Sequence, residues 1–295
     1  MMNSTKTFKP IVKNGDYLFD SDITFDRPVE IHFVRIEEFD NPEAFKVLVL
    51  SSESYLSENR EPGTSVIHNK HLYDLILCAD DSINTFCRNA EIFPYGSTWL
   101  NRGKIKHHDG LGYFSPDVEI FKKKERTIND VSFLASWYDT DRPGYRLRRE
   151  LWARQNEIEI PIMFHTSIKS FLGAINPLPN GEKEALFYSA FHVCIENQRV
   201  KHYFTEKLID SFLTYTIPIY WGCPNIGDYF NLDGMIIIDS IEELIPKINA
   251  LTLDSYYDKM DAILENRKIA ETYANFSERI EHAIVSTSRG GFKYA

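Results

Sequence analysis

The 295-residue chain carries 33 Lys and Arg against 43 Asp and Glu, a formal charge of -10, with 43% hydrophobic and 14% aromatic residues. That length suits two domains, each with a sizeable core. The acidic balance argues against nonspecific binding to nucleic acid or to an anionic membrane, although a local basic pocket is compatible with it. The sequence has no run of ~18 apolar residues of the kind that spans a bilayer, and residues 1–20 lack the apolar core of a signal peptide. These features read as a cytoplasmic protein with no membrane span. Cys78, Cys87, Cys194 and Cys223 lie far apart without zinc spacing, which fits buried reduced thiols.

Taken in order, residues 1–28 are polar and weakly patterned. Residues 29–35 alternate apolar and polar groups as a half-buried strand does. Residues 46–50 and 73–78 read as buried strands, 82–89 as a short helix, and 92–96 as a strand leading into the turn Pro94-Tyr95-Gly96. The polar loop after the 46–50 strand holds Glu53, Glu58 and Glu61. Arg102, Lys104, Lys106, His107 and His108 form a mildly basic loop, and the charged run 121–126 marks the crossing between domains. Two adjacent histidines without a third ligand at recognisable spacing are a surface loop by default.

The second half opens with a strand at 131–137 and a polar loop at 138–144 containing Asp139-Thr140-Asp141. A helix is expected over 145–156, a strand over 160–164 and a helix over 182–190. Residues 191–195 are a short apolar run that fits a strand buried on both faces, ending in Glu196 and Asn197. Thr205 stands where a helix N-cap belongs, and the helix over 206–214 puts Leu208, Ile209, Phe212 and Leu213 on one side. A strand at 217–221 runs into Gly222. Beyond it come a strand at 235–239, a capping box of Ser240 with Glu243, and a helix that Pro246 should end or kink. From 254 to about 288 the pattern is helical throughout. Strands alternating with helices indicate α/β domains with parallel sheets, and ligands of such sheets bind at strand carboxyl ends and helix N-termini.

The motif Glu196-Asn197, five residues, Tyr203-Phe204-Thr205-Glu206-Lys207-Leu208, then Ile217-Pro218-Ile219-Tyr220-Trp221-Gly222 resembles the donor-binding motif of family 10 glycosyltransferases, the α-1,3/1,4-fucosyltransferases. The strong match covers roughly 191–238, with weaker echoes upstream. The resemblance implies a GT-B-like fold: two Rossmann-like α/β domains with an interdomain cleft and a helical C-terminal tail. The corresponding division is an acceptor-side domain over 1–125, a donor-binding domain over 126–270, and a C-terminal helix over 271–295 that crosses back to the first domain. It further implies an inverting transfer of a sugar, fucose from GDP-fucose first, to a hydroxyl of a glycan, with no cofactor beyond the donor. The partners are then a nucleotide-sugar donor and a glycan acceptor.

Residue by residue, the resemblance assigns Glu206 to the ribose and Lys207 to the diphosphate, with Glu196, Asn197, Tyr203 and Thr205 completing the donor side. It places a diphosphate-binding arginine after a strand and polar loop, where Arg146 stands, with Arg148 second. An arginine fork can hold two phosphate oxygens at once. The family's general base is a glutamate just after an early strand, which points to Glu53 ahead of Glu58 on the same loop. Asp139-Thr140-Asp141 matches a metal-binding D-x-D, a three-residue pattern that chance supplies easily, and no metal is assigned to it. Tyr220 and Trp221 serve either as a stacking surface or as core. Rival readings are a transferase for another GDP- or UDP-sugar, a noncatalytic sugar-nucleotide or glycan binder, and a metal-dependent transferase using Asp139 and Asp141.

Overall fold

The computed structural model describes residues 7–14, 19, 22–34, 36–50, 66–100, 125–135, 141–167, 176–178 and 182–289. Two five-stranded sheets organise them. The first contains β1 (Ile11–Lys13), β2 (Val29–Phe33), β3 (Phe45–Leu50), β4 (Leu75–Cys78) and β5 (Ala90–Ile92), in simple sequential order and parallel throughout. α1 (Asp81–Phe86) connects β4 to β5, capped by the Asp80 carboxylate, which accepts from the Ser82 N–H.

The second sheet has the order β10-β9-β8-β6-β7, again all parallel. Its strands are β6 (Val131–Ala135), β7 (Ile162–Thr166), β8 (Phe191–Ile195), β9 (Ile217–Trp221) and β10 (Ile236–Ile237). The chain adds β7 on one side of β6 and then returns to add β8, β9 and β10 on the other. That reversal opens a crevice between the carboxyl ends of β6 and β8, the place where open parallel sheets bind ligands. The first sheet, built in one direction, has no such point among the described residues. The α-helices that follow among the described residues include α2 (Pro143–Ala153), α3 (Glu206–Leu213), α4 (Ile241–Asn249), α5 (Leu253–Asp258), α6 (Met260–Ala274) and α7 (Phe276–Arg289).

Three apolar clusters form the core. The largest surrounds the second sheet and takes in α3, α4 and α6. The other two cover opposite faces of the first sheet. Phe276, Ile280 and Ile284 of α7 belong to one of these, beside Val29, Ile31, Val47 and Leu75, although α7 follows the second sheet in the chain. Arg279 of α7 donates to the carbonyls of Pro94 and Gly96, at 2.9 and 2.8 Å. Its guanidinium lies over Phe93 and Tyr273, and burial lowers its pKa to about 10.

Several local expectations are corrected. β2 does not show a wet face: Glu30 and His32 are buried with the rest. Glu30 accepts from the N–H groups of Asp40 and Asn41 and pairs with His32 Nε2 at 3.0 Å, while His32 Nδ1 meets the Tyr73 hydroxyl. Mutual hydrogen bonding removes the penalty for placing these groups inside. The helix expected over 182–190 is a 3-10 stretch, Lys183–Tyr188. It stops because Asp130 binds the Ser189 hydroxyl and the Ala190 N–H. Ser240 makes no side-chain cap, and Glu243 pairs instead with Lys247 one turn later. The capping box forms at the next helix, between Thr252 and Ser255. Pro246 lies inside α4, which continues to Asn249. The helical tail is broken at Lys259 and Asn275, and the strand expected over 92–96 leaves its ladder at Ile92.

Candidate functional site

The switch-point crevice is assembled by backbone first. α2 begins at the carboxyl end of β6, and its Gly144 N–H donates to the Asn197 carbonyl, just past β8, at 3.1 Å. A Cβ at Gly144 would stand 1.8 Å from the Glu196 carbonyl oxygen. Only glycine permits this approach, which brings the first turns of α2 and α3 to the same strand end. Arg148, one turn into α2 and only 2% exposed, locks the junction. Its guanidinium donates to the Ile195 carbonyl and, at 2.8 Å, to Asn197 Oδ1. Burial lowers the Arg148 pKa, while Tyr145 and Glu196 oppose the shift. Arg146, two residues earlier, is exposed.

At the other side of the crevice Thr205 caps α3, its side chain accepting from the Lys207 N–H. The Glu196 carboxylate, wholly buried, accepts from the Thr205 N–H at 2.8 Å and from its hydroxyl at 2.9 Å. Glu196 therefore ties the end of β8 to the start of α3. Gly222, at the end of β9, makes room for this, because a Cβ there would meet Glu196 Cγ at 2.6 Å. Tyr203 is buried, and Asn197 is half-buried.

Lys207 Nζ lies 3.0 Å from Thr205 Oγ1, 3.3 Å from Glu206 Oε1 and 3.5 Å from Glu196 Oε2, with 24% of its side chain exposed. Burial pulls its pKa down, but Glu206 and Glu196 outweigh that and raise it. Burial pushes the Glu206 carboxyl up, yet Lys207 and Lys183 bring it to about 2. One turn further, Asp210 takes Lys183 Nζ at 2.9 Å and the Thr98 hydroxyl at 2.6 Å. Burial raises the Asp210 pKa against the pull of Lys183. Thr98 follows the first sheet, so Asp210 also fastens the two halves together.

Glu196, Glu206 and Asp210 thus face Arg148, Lys183 and Lys207, and their formal charges cancel. Lys207 keeps part of its side chain exposed here, the N-termini of α2 and α3 carry partial positive charge, and Arg146 is exposed on α2. Cys194 and Cys223 nearby are not nucleophiles at neutral pH, since burial raises their thiols to about 12 and about 11. Tyr220 is buried, its hydroxyl accepting from the Cys223 N–H at 2.9 Å, and Trp221 is 7% exposed; both are core.

Of the residues singled out from sequence, Arg146, Glu196, Asn197, Tyr203, Thr205, Glu206 and Lys207 all lie on the segments bordering this crevice. Glu196 and Thr205 are hydrogen-bonded to each other, and both also contact Lys207. Glu53, Glu58, Asp139, Thr140, His107 and His108 lie outside the described residues. Sequence reasoning did not find Lys183 or Thr98, which meet the site through the fold alone. Asp210 had a local signal, standing four residues after Glu206 on the same helical face.

The fold and site define a GT-B-like α/β protein with a ligand crevice in its second sheet. No protein-family model matches the chain. It is 35% identical over 157 residues to the alpha-(1,3)-fucosyltransferase FucT of Helicobacter pylori. That alignment covers 50% of this chain and 30% of that protein, so the chain spans less than a third of its length. A crystal structure of an α1,3-fucosyltransferase with GDP-fucose is similar with a TM-score of 0.53 and 21% identity, covering 90% of this chain and 85% of that one. A second, of α1,3-fucosyltransferase with GDP, gives 0.52 and 18%, covering 93% and 94%. These likenesses establish the fold. No helix among the described residues is long and apolar enough to cross a membrane.

Proposed function

We propose that the protein is an inverting glycosyltransferase that moves a sugar, fucose from GDP-fucose in the first instance, onto a hydroxyl of a glycan. The observation that carries this reading is the Glu206-Lys207 pair at the first turn of α3, seated at the switch point with Arg146 exposed on the neighbouring helix. The 35% identity to a fucosyltransferase supports it.

In this reading the acceptor oxygen attacks the anomeric carbon as the bond to the diphosphate oxygen breaks, and the configuration inverts. Glu53 takes the acceptor proton as general base. Lys207 and Arg146 hold the departing diphosphate, whose charge grows in the transition state, and Glu206 holds the ribose. Side chains and helix N-termini supply the countercharge, so no metal or other cofactor is required.

A panel of GDP, UDP, ADP and CMP read by thermal shift tests the donor, followed by transfer from GDP-fucose to glycan acceptors. GDP, as the donor's nucleotide, should stabilise the protein more than UDP, and a ligand that binds only the folded state adds ~2.7 kcal/mol at a hundredfold excess over Kd. Equal or absent stabilisation by GDP would overturn the reading.

A further inference from the structure

The loop between β8 and α3 is clamped at one residue that the proposed chemistry does not use. His202, next to Tyr203, has a left-handed backbone with φ of 62°, a conformation disfavoured for residues with a side chain. Its own half of the molecule holds it there: the His202 N–H donates to Asn225 Oδ1 at 2.9 Å. Its Nδ1 lies 2.5 Å from the Tyr229 hydroxyl and 3.2 Å from Asn225 Nδ2. Both neighbours can donate to Nδ1, which leaves the ring hydrogen on Nε2. Nε2 faces the other half, 2.9 Å from Asp81 Oδ1, and Lys201 Nζ stands 3.7 Å from Asp81 Oδ2.

Asp81 opens α1, directly after β4 of the first sheet. The contact therefore runs from the first sheet to the loop that carries Tyr203 and Thr205 and leads into Glu206 at the start of α3. We propose that Asp81 and His202 form a latch between the two halves and act as positioning residues, holding the β8–α3 loop in its donor-binding geometry. The latch couples donor affinity to the relative placement of the halves, since separating them breaks this contact. The donor aspect rests on the function proposed above, while the latch itself rests on the geometry.

The full chain can test both separately. Asp81→Ala leaves the α1 cap intact, because Asp80 is the capping residue. His202→Asn removes the ring, and asparagine tolerates the left-handed backbone. Amide hydrogen exchange over 199–206 in the unliganded protein should quicken in each variant, and GDP Kd should rise by ~5-fold, the upper end for a partly exposed pair. Asp81→Asn keeps a neutral acceptor for Nε2–H and should recover most of the loss. The double variant should be no worse than either single one, the signature of a shared contact. Unchanged exchange in Asp81→Ala, or additive losses in the double variant, would overturn the latch. A wild-type protein that does not bind GDP would overturn the donor reading, and exchange over 199–206 would still decide the latch.

Discussion

Replacing Lys207 by methionine probes both the stability and the proposed donor contact of the crevice, because its ammonium serves two buried carboxylates while 24% of its side chain stays exposed. The side chain keeps much of its length and loses its charge. The Glu206 carboxyl, only 4% exposed, is held at about 2 instead of its ordinary 4.5. That depression corresponds to roughly 3 kcal/mol of stability at neutral pH. Lys183, at 3.9 Å from Glu206, retains part of it, so Lys207→Met should cost about 2 kcal/mol. A depressed carboxylate contributes fully above its unfolded pKa and loses that contribution as pH falls through the folded one. The gap between wild type and variant should therefore be widest at pH 7 and close between about 4.5 and 2. Urea denaturation across that range measures it. In parallel, GDP titration of the folded variant should show a loss of roughly 1.5–3 kcal/mol, the range for a charge-assisted hydrogen bond. A stability gap that does not vary with pH would refute the electrostatic account. Undiminished GDP affinity in a folded variant would remove Lys207 from the donor site.

Three other outcomes are expected. Gly144→Ala would force a Cβ into the Glu196 carbonyl and should destabilise the protein by about 3 kcal/mol, read as a lower urea midpoint; a wild-type midpoint would mean that α2 does not pack as described. Arg148→Met should lower stability by roughly 2 kcal/mol by orphaning the Ile195 carbonyl, whereas Arg146→Ala, on an exposed position, should leave the midpoint within ~0.5 kcal/mol and weaken GDP binding. The opposite pattern would exchange their roles. Glu53→Gln should cut turnover by ~10²–10⁴-fold with GDP affinity nearly unchanged, and activity should survive chelation by EDTA. If Glu58→Gln abolishes turnover and Glu53→Gln does not, the base is the other carboxylate on that loop; if EDTA abolishes turnover and manganese restores it, the metal-free account fails.

What could be read along the chain had short-range causes. The run 191–195 with its polar stop, Thr205 ahead of α3, and the strand before Gly222 are local properties, since run length, a capping hydroxyl and a glycine act within a few residues. The same holds for the α/β class, which follows from the alternation of strands and helices. Where local rules failed, a distant partner had intervened. Glu30 and His32 looked like a wet strand face until Asp40, Asn41 and Tyr73 covered them. The helix expected over 182–190 became a 3-10 stretch where Asp130, 59 residues from Ser189, takes the Ser189 hydroxyl.

The electrostatics of the crevice were decided only in three dimensions. Arg148 and Arg146 are two residues apart and chemically alike, and periodicity alone left either able to face a phosphate. The fold turned Arg148 inward onto Ile195, 47 residues away, and left Arg146 outside. Lys183 reaches Asp210 over 27 residues, and Thr98 reaches it over 112. Burial sets the strength of these pairs and chain crossing sets their partners, and neither is encoded in spacing. The left-handed His202 is the same case: its ring is oriented by Asn225 and Tyr229 from one half and Asp81 from the other. Asn225 and Tyr229 reach it within one half, and only the packing of the two halves together brings Asp81 to the same ring.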